Sequence, residues 1–219
     1  MRGGGSLGQA AARRVISAAA GWRAAHDGDV LVVAIDGHGA AGKSTIAAAV
    51  AEATGAALVH TDDFFDAGPE PAGPDRSWLG VPTVPVPPDE QDLSGYYDWR
   101  RLRAEALEPL RAGRAAEFRR FDWERGSGLD GAVSVTPHPL IVLEGVFSAA
   151  PELSDLVDRS VFVDTPEPER LRRLRGQTTP SEWDDDWLAA ERAYFGLTRP
   201  PPSFDLIVPG TIRHERADR

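Results

Sequence analysis

Val30-Leu31-Val32-Val33-Ala34-Ile35-Asp36-Gly37-His38-Gly39-Ala40-Ala41-Gly42-Lys43-Ser44-Thr45 decides how this chain of 219 residues folds. Its first part, Val30–Asp36, is an apolar, largely β-branched run ended by an aspartate. That composition predicts a strand covered on both faces of a parallel sheet. The run passes into Gly37–Ser44, which fits G-x-x-x-x-G-K-[ST]. Glycines at these positions let the backbone curl so that successive N–H groups point inward at an anion. The helix predicted from Lys43 to about Thr54 adds the positive end of its dipole. Gly37, His38, Gly39, Ala40, Ala41, Gly42, Lys43, Ser44 and Thr45 are therefore the expected nucleotide-binding residues, with the Lys43 ammonium on the outer phosphates and the Ser44 hydroxyl on Mg²⁺.

Outward from this stretch, apolar strands alternate with helical patterns. Ala57–His60 ends at Thr61-Asp62-Asp63, Leu140–Leu143 ends at Glu144-Gly145, Val161–Val163 ends at Asp164, and Phe204–Val208 is stopped by Pro209-Gly210. Alternation of buried strands and helices predicts a three-layer α/β P-loop NTPase fold with a mainly parallel five-stranded sheet. Ligands of such sheets sit at the carboxyl ends of the strands. An amphipathic helix is expected over about 8–25, one helix over 99–111, a β-hairpin insertion within 115–136, and a helical lid with its following helix over 166–196. Residues 66–93 hold many of the chain's 18 prolines and read as a long loop. One domain is expected over 1–219.

Composition narrows the function. The net charge of −10 argues against a nucleic-acid binder, and no apolar run is long enough to span a membrane. With no cysteine, disulfides and thiolate chemistry are excluded, and a cytoplasmic location is the expectation. Lys43 is the only lysine and the chain has no asparagine, so the Asn-Lys-x-Asp guanine-reading motif of GTPases has no place here. A chain of this size favours a kinase over a motor or a larger ATPase.

A kinase needs a proton acceptor for the attacking hydroxyl, and Asp62, at the end of the second predicted strand, is the best placed. Asp63 beside it leaves open a division into base and metal-water ligand. Glu144 follows its apolar strand where an acid holding Mg²⁺ is expected. The arginine-rich stretch Arg170, Arg172, Arg173 and Arg175 is predicted to form a closing helix, with Arg172 and Arg175 on one side and Arg173 on a neighbouring face. Asp62, Lys43 and Arg173 are the expected catalytic residues, and Ser44, Glu144 and Asp63 the expected metal residues.

These elements, in this order, resemble the uridine kinase branch of P-loop kinases, together with its phosphoribulokinase and pantothenate kinase relatives. The resemblance rests on Ile35–Thr45, Asp62-Asp63-Phe64-Phe65, Phe121-Asp122-Trp123, Glu144-Gly145, and Phe162–Thr165 leading into Arg170–Arg175. It implies that Asp62 is the catalytic aspartate, that Phe121, Asp122 and Trp123 line the acceptor pocket, and that Asp92 or Asp98 holds ribose hydroxyls. Tyr97 and Arg172 complete the expected substrate residues. The implied reaction uses ATP and Mg²⁺ and a small-molecule acceptor, with no nucleic acid and no membrane as partner; a homo-oligomer is left open.

Two departures qualify the implied acceptor. No histidine follows Phe121-Asp122-Trp123 to read a pyrimidine, and Gly176-Gln177 stands where the family's lid carries Arg-Asp. Phosphoryl transfer thus carries over better than uridine recognition. A kinase for pantothenate or a sugar phosphate, and a nucleotide-binding regulatory module without acceptor, remain as alternatives.

Overall fold

The computed structural model describes residues 7–66, 96–126, 128–175 and 182–210. The loop expected over 66–93, Asp92, and the lid residues 176–181 fall, apart from Asp66, outside these.

The chain begins with helix α1 (Leu7–Ala24), followed by strand β1 (Leu31–Asp36), helix α2 (Lys43–Thr54) and strand β2 (Ala57–His60). A 3₁₀ turn (Thr61–Phe64) ends that unit. Next come α3 (Trp99–Arg101), a π-helical stretch (Leu102–Leu107) and α4 (Glu108–Arg111). The hairpin β3 (Ala116–Phe121) and β4 (Leu129–Val135) follows, then β5 (Leu140–Glu144) and β6 (Arg159–Asp164). Helices α5 (Glu167–Arg175) and α6 (Glu182–Ala193), a π-helical turn (Tyr194–Thr198) and β7 (Leu206–Pro209) complete it.

The main sheet has five strands in the order β2-β5-β1-β6-β7, all parallel. Side chains alternate across it as period two requires. Leu31, Val33 and Ile35 face a layer made with α1 (Ala11, Val15) and α2 (Ile46, Val50). Val32 and Ala34 face the opposite layer, with Leu102, Leu107 and Leu110 and the aromatic residues Phe64, Phe147 and Tyr194. All six β1 residues are buried, which explains the continuous apolar run.

The one helix expected over 99–111 is continuous in path but widens into a π turn before Pro109. A proline inside a helix lacks the N–H donor, and its ring crowds the carbonyl one turn back. The wider turn, with Glu108 N–H on Arg103 O, accommodates it. The hairpin is antiparallel, with an irregularity between Arg119 and Arg120, and it ends at Phe121, so Trp123 lies in the turn rather than in a strand.

Topology positions the site. β5 lies between β2 and β1, so Glu144 is in register with His60 on one side and Ile35 on the other. The glycine loop, the 3₁₀ turn carrying Asp62 and the acid of β5 therefore share the carboxyl edge of the sheet.

Candidate active site

A cleft of roughly 720 Å³ opens at this edge. Its floor is the loop and the start of α2, represented by Gly39, Ala40, Gly42, Lys43, Ser44 and Thr45. Asp62 and Glu144 stand beside it, Arg173 and Leu174 come from α5, and Phe65, Tyr97, Trp123, Val146, Trp187 and Leu188 form an aromatic and aliphatic wall.

Lys43 is almost fully buried, and its Nζ donates to His38 O at 2.9 Å across the loop. Ser44 Oγ donates to Glu144 Oε2 at 3.2 Å, and Glu144 Oε1 accepts from His60 Nδ1 at 2.5 Å. The hydrogen bond to Glu144 is the main reason the His60 imidazole titrates above its ordinary value. Among the described residues no three His, Cys, Asp or Glu side chains gather as a metal cage. A hydroxyl and a single carboxylate fit Mg²⁺, which keeps waters and is shared with phosphate oxygens rather than enclosed by protein.

Asp62 is reached by solvent through the cleft but crowded by protein on its other sides. That crowding raises its carboxyl above the usual carboxylate range, with Lys43 opposing. Tyr97 OH donates to Asp62 Oδ1 at 3.0 Å, and Trp123 Nε1 donates to the Asp62 backbone carbonyl at 3.2 Å. The fully buried Tyr97 thus orients the carboxylate in addition to lining the cleft. Trp123 stands half out of the wall, 52% exposed.

Several expected residues lie elsewhere. Asp63 turns toward Arg120 of β3, with 3.7 Å between carboxylate and guanidinium, and does not line the cleft. Asp98 caps α3 by accepting from Arg101 N–H at 2.9 Å. Asp122 accepts from the backbone of Glu124 and Arg125 and so shapes the turn. Phe121 is buried behind Phe65 and Trp123, at ring separations of 5.2 and 4.8 Å.

On α5 the arginine facing is also different from the expected one. Arg172 is exposed and held by Glu169, whereas Arg170 and Arg173, three apart, face the loop. Arg173 donates to Ala40 O at 2.9 Å and pairs with Glu169, and Arg170 reaches Gly39 O at 3.5 Å. The phase of this helix follows from its anchorage at the preceding residue, where Thr165 Oγ1 donates to Ala41 O at 2.9 Å. That contact is not encoded in helical spacing.

Trp187, Leu188, Val146 and Leu174 line the cleft without having been singled out from sequence. Glu191, just behind the wall, touches the loop. Trp187 lies in the acidic run Trp183–Trp187, whose charge pattern alone reads as a solvated helix face.

No family model matches the chain. Proteins named uridine kinase are similar to it: one from Shewanella denitrificans is 28% identical over 142 residues, 62% of this chain and 63% of the relative. One from Shewanella oneidensis is 28% identical over 192 residues, 82% of this chain and 87% of the relative. A solved structure of a possible uridine kinase from Bacillus stearothermophilus superposes with a TM-score of 0.63, at 18% identity, over 91% of this chain and 98% of that one. A candidate fructose transport system kinase from Silicibacter sp. TM1040 gives 0.56 at 21% identity, over 93% and 99%. In sequence and fold the chain is uridine kinase-like, with the P-loop NTPase architecture, and these likenesses support a P-loop kinase.

Proposed function

We propose that this protein transfers the γ-phosphate of ATP to the primary hydroxyl of a small uncharged acceptor carrying a planar ring, with the 5′-hydroxyl of a nucleoside as the leading case. The observation that carries this reading is the convergence of Lys43, Ser44, Glu144 and Asp62 on one cleft whose far wall is aromatic.

The backbone of Ala40–Thr45 and the Lys43 ammonium hold the phosphates, and Arg173 offsets charge at their outer end. Ser44 and Glu144 hold Mg²⁺, which when bound neutralises phosphate charge. Asp62 takes the proton from the acceptor hydroxyl. Its raised pKa makes it a better base than an ordinary surface carboxylate, and Tyr97 keeps the carboxylate aimed. Phe65, Trp123 and Trp187 enclose the acceptor ring. Positioning and electrostatics then account for most of the rate, as in other phosphoryl transfers.

The nature of the wall favours a neutral acceptor over pantothenate or a sugar phosphate. Among the described lining residues, the cations are Lys43 and Arg173, and both sit at the phosphate end. The test is ADP release from Mg-ATP with a panel of nucleosides, pantothenate and sugar phosphates. Nucleoside-dependent release supports the reading. Release only with an anionic acceptor reassigns the substrate, and ATP binding without release by any acceptor makes the protein a regulatory module.

A further inference from the structure

Glu191 of α6 is 1% exposed and lies outside every role described so far. Its Oε1 accepts from the backbone N–H of Gly39 at 2.7 Å and from the indole Nε1–H of Trp187 at 2.7 Å. Its Oε2 accepts from His38 Nδ1 at 3.0 Å, where the imidazole must carry its proton, and lies 3.5 Å from the Arg170 guanidinium. A carboxylate has about four lone-pair sites, and four donors address this one. Burial acts to raise its pKa, but His38, Lys43 and the Gly39 N–H outweigh that and hold it below the ordinary value.

Gly39 supplies an independent sign that the contact is built into the loop. Its φ does not lie in the left-handed region, so the backbone conformation does not itself demand glycine there. A Cβ at this position would lie 2.9 Å from Glu191 Oε1 and 3.8 Å from Trp187 Nε1. The missing side chain admits the carboxylate. Of its four partners, Gly39 and His38 belong to the nucleotide loop, Arg170 to α5, and Trp187 lines the cleft on the acceptor side. Trp187 is one helical turn from Glu191, so the indole and the loop crest share a single anchor.

We propose that Glu191 is a positioning residue that ties the indole of Trp187 in the acceptor wall to the N–H of Gly39 in the nucleotide loop, so that filling the loop is felt at the wall. The tie rests on the cleft being a nucleotide loop facing an acceptor wall. It gives the enzyme a way to set the acceptor side only when the triphosphate side is in order, without contact between Glu191 and either ligand.

The test is fluorine NMR of the full chain carrying 5-fluorotryptophan, in which the line missing from W187F identifies Trp187. Without nucleotide, wild type shows one line for the held indole. Glu191→Ala lowers the held-to-free ratio of the indole by roughly tenfold, as loss of one charge-assisted hydrogen bond predicts, and the line moves or splits. Glu191→Gln keeps an oxygen for both N–H donors and an amide that can donate to His38, so it restores the wild-type line. Mg-AMP-PNP then shifts the line in wild type and E191Q but leaves it in place in E191A, although E191A still binds the nucleotide.

A Trp187 line in E191A coincident with wild type overturns the proposal, as does an E191Q line displaced as far as that of E191A. Nucleotide binding that leaves the wild-type line unmoved overturns the coupling. Should E191A not fold, Gly39→Ala presses its Cβ against the carboxylate and must displace the same line. Failure of Mg-AMP-PNP to bind counts against the proposed function, and the nucleotide-free lines still decide the tie.

Discussion

Gly145, directly after the acid of β5, offers the most quantitative test of how the two acidic strand ends are held together. Its φ is +144, a backbone conformation that side chains rarely adopt. A Cβ there would lie 1.8 Å from Thr61 Oγ1 and 3.0 Å from Thr61 Cβ, both in the fully buried residue that precedes Asp62. Gly145→Ala therefore carries two penalties. Holding alanine in this conformation costs roughly 1–3 kcal/mol, and overpacking a filled interior costs roughly 1–3 kcal/mol. The expected loss is about 2–6 kcal/mol, a fall in Tm on the order of 5–20 °C for a chain of this size. Urea unfolding measures it. Since the clash pushes Thr61 away from Gly145, it also separates Asp62 from Glu144, and turnover should fall further than ATP affinity. Thr61→Ala in the same chain removes the nearest contact and should return about 1–2 kcal/mol relative to the sum of the single changes. A G145A protein within about 0.5 kcal/mol of wild type, or strictly additive penalties, would refute the reasoning.

Two further outcomes are expected. Asp36 accepts from the N–H groups of Gly37, Phe147 and Ala149 and from Tyr194 OH, and its burial pushes its pKa up to about 6 despite them. Because the folded value lies above the unfolded one, its contribution is complete below about pH 4 and is lost as pH rises through about 6, by roughly 3 kcal/mol. Urea unfolding of wild type and Asp36→Asn from pH 4 to 7 should show the wild-type advantage shrinking over that window, and a constant or growing advantage would mean that the four donors outweigh burial. Trp123→Ala should raise the acceptor KM by about 10–100-fold through lost stacking while leaving ATP KM nearly unchanged, as steady-state kinetics will check, with stability falling by about 1–3 kcal/mol as its ring contacts to Phe65 and Phe121 go.

Much of the fold was legible because its signals are local. The run Val30–Asp36 reads as a doubly covered strand, and the glycine spacing after it reads as an anion cradle. Asp62 and Glu144 could be picked because each follows an apolar run, and strand ends gather at one edge of a parallel sheet. What escaped depends on how elements pack. Helical spacing says which arginines of α5 share a face but not which face meets the loop. That was settled by Thr165 on Ala41, and it brought Arg170 and Arg173 inward instead of Arg172. Asp63, Asp98 and Asp122 carry the right chemistry, but an ion pair, a helix cap and a turn use them. Glu191 and Trp187 were illegible for a similar reason, since only the packing of α6 against the loop turns an i, i+4 pair in an acidic helix inward.

The central claim is that Asp62 is the base beside a phosphate-holding loop. Acceptor-dependent ADP release by wild type and Asp62→Asn, read with ATP affinity measured on the same samples, tests it most directly. ATP affinity should change by less than about tenfold while turnover falls by about 10²–10⁴-fold, the range for removal of a general base. Turnover in Asp62→Asn close to wild type would contradict the claim and leave only nucleotide attachment.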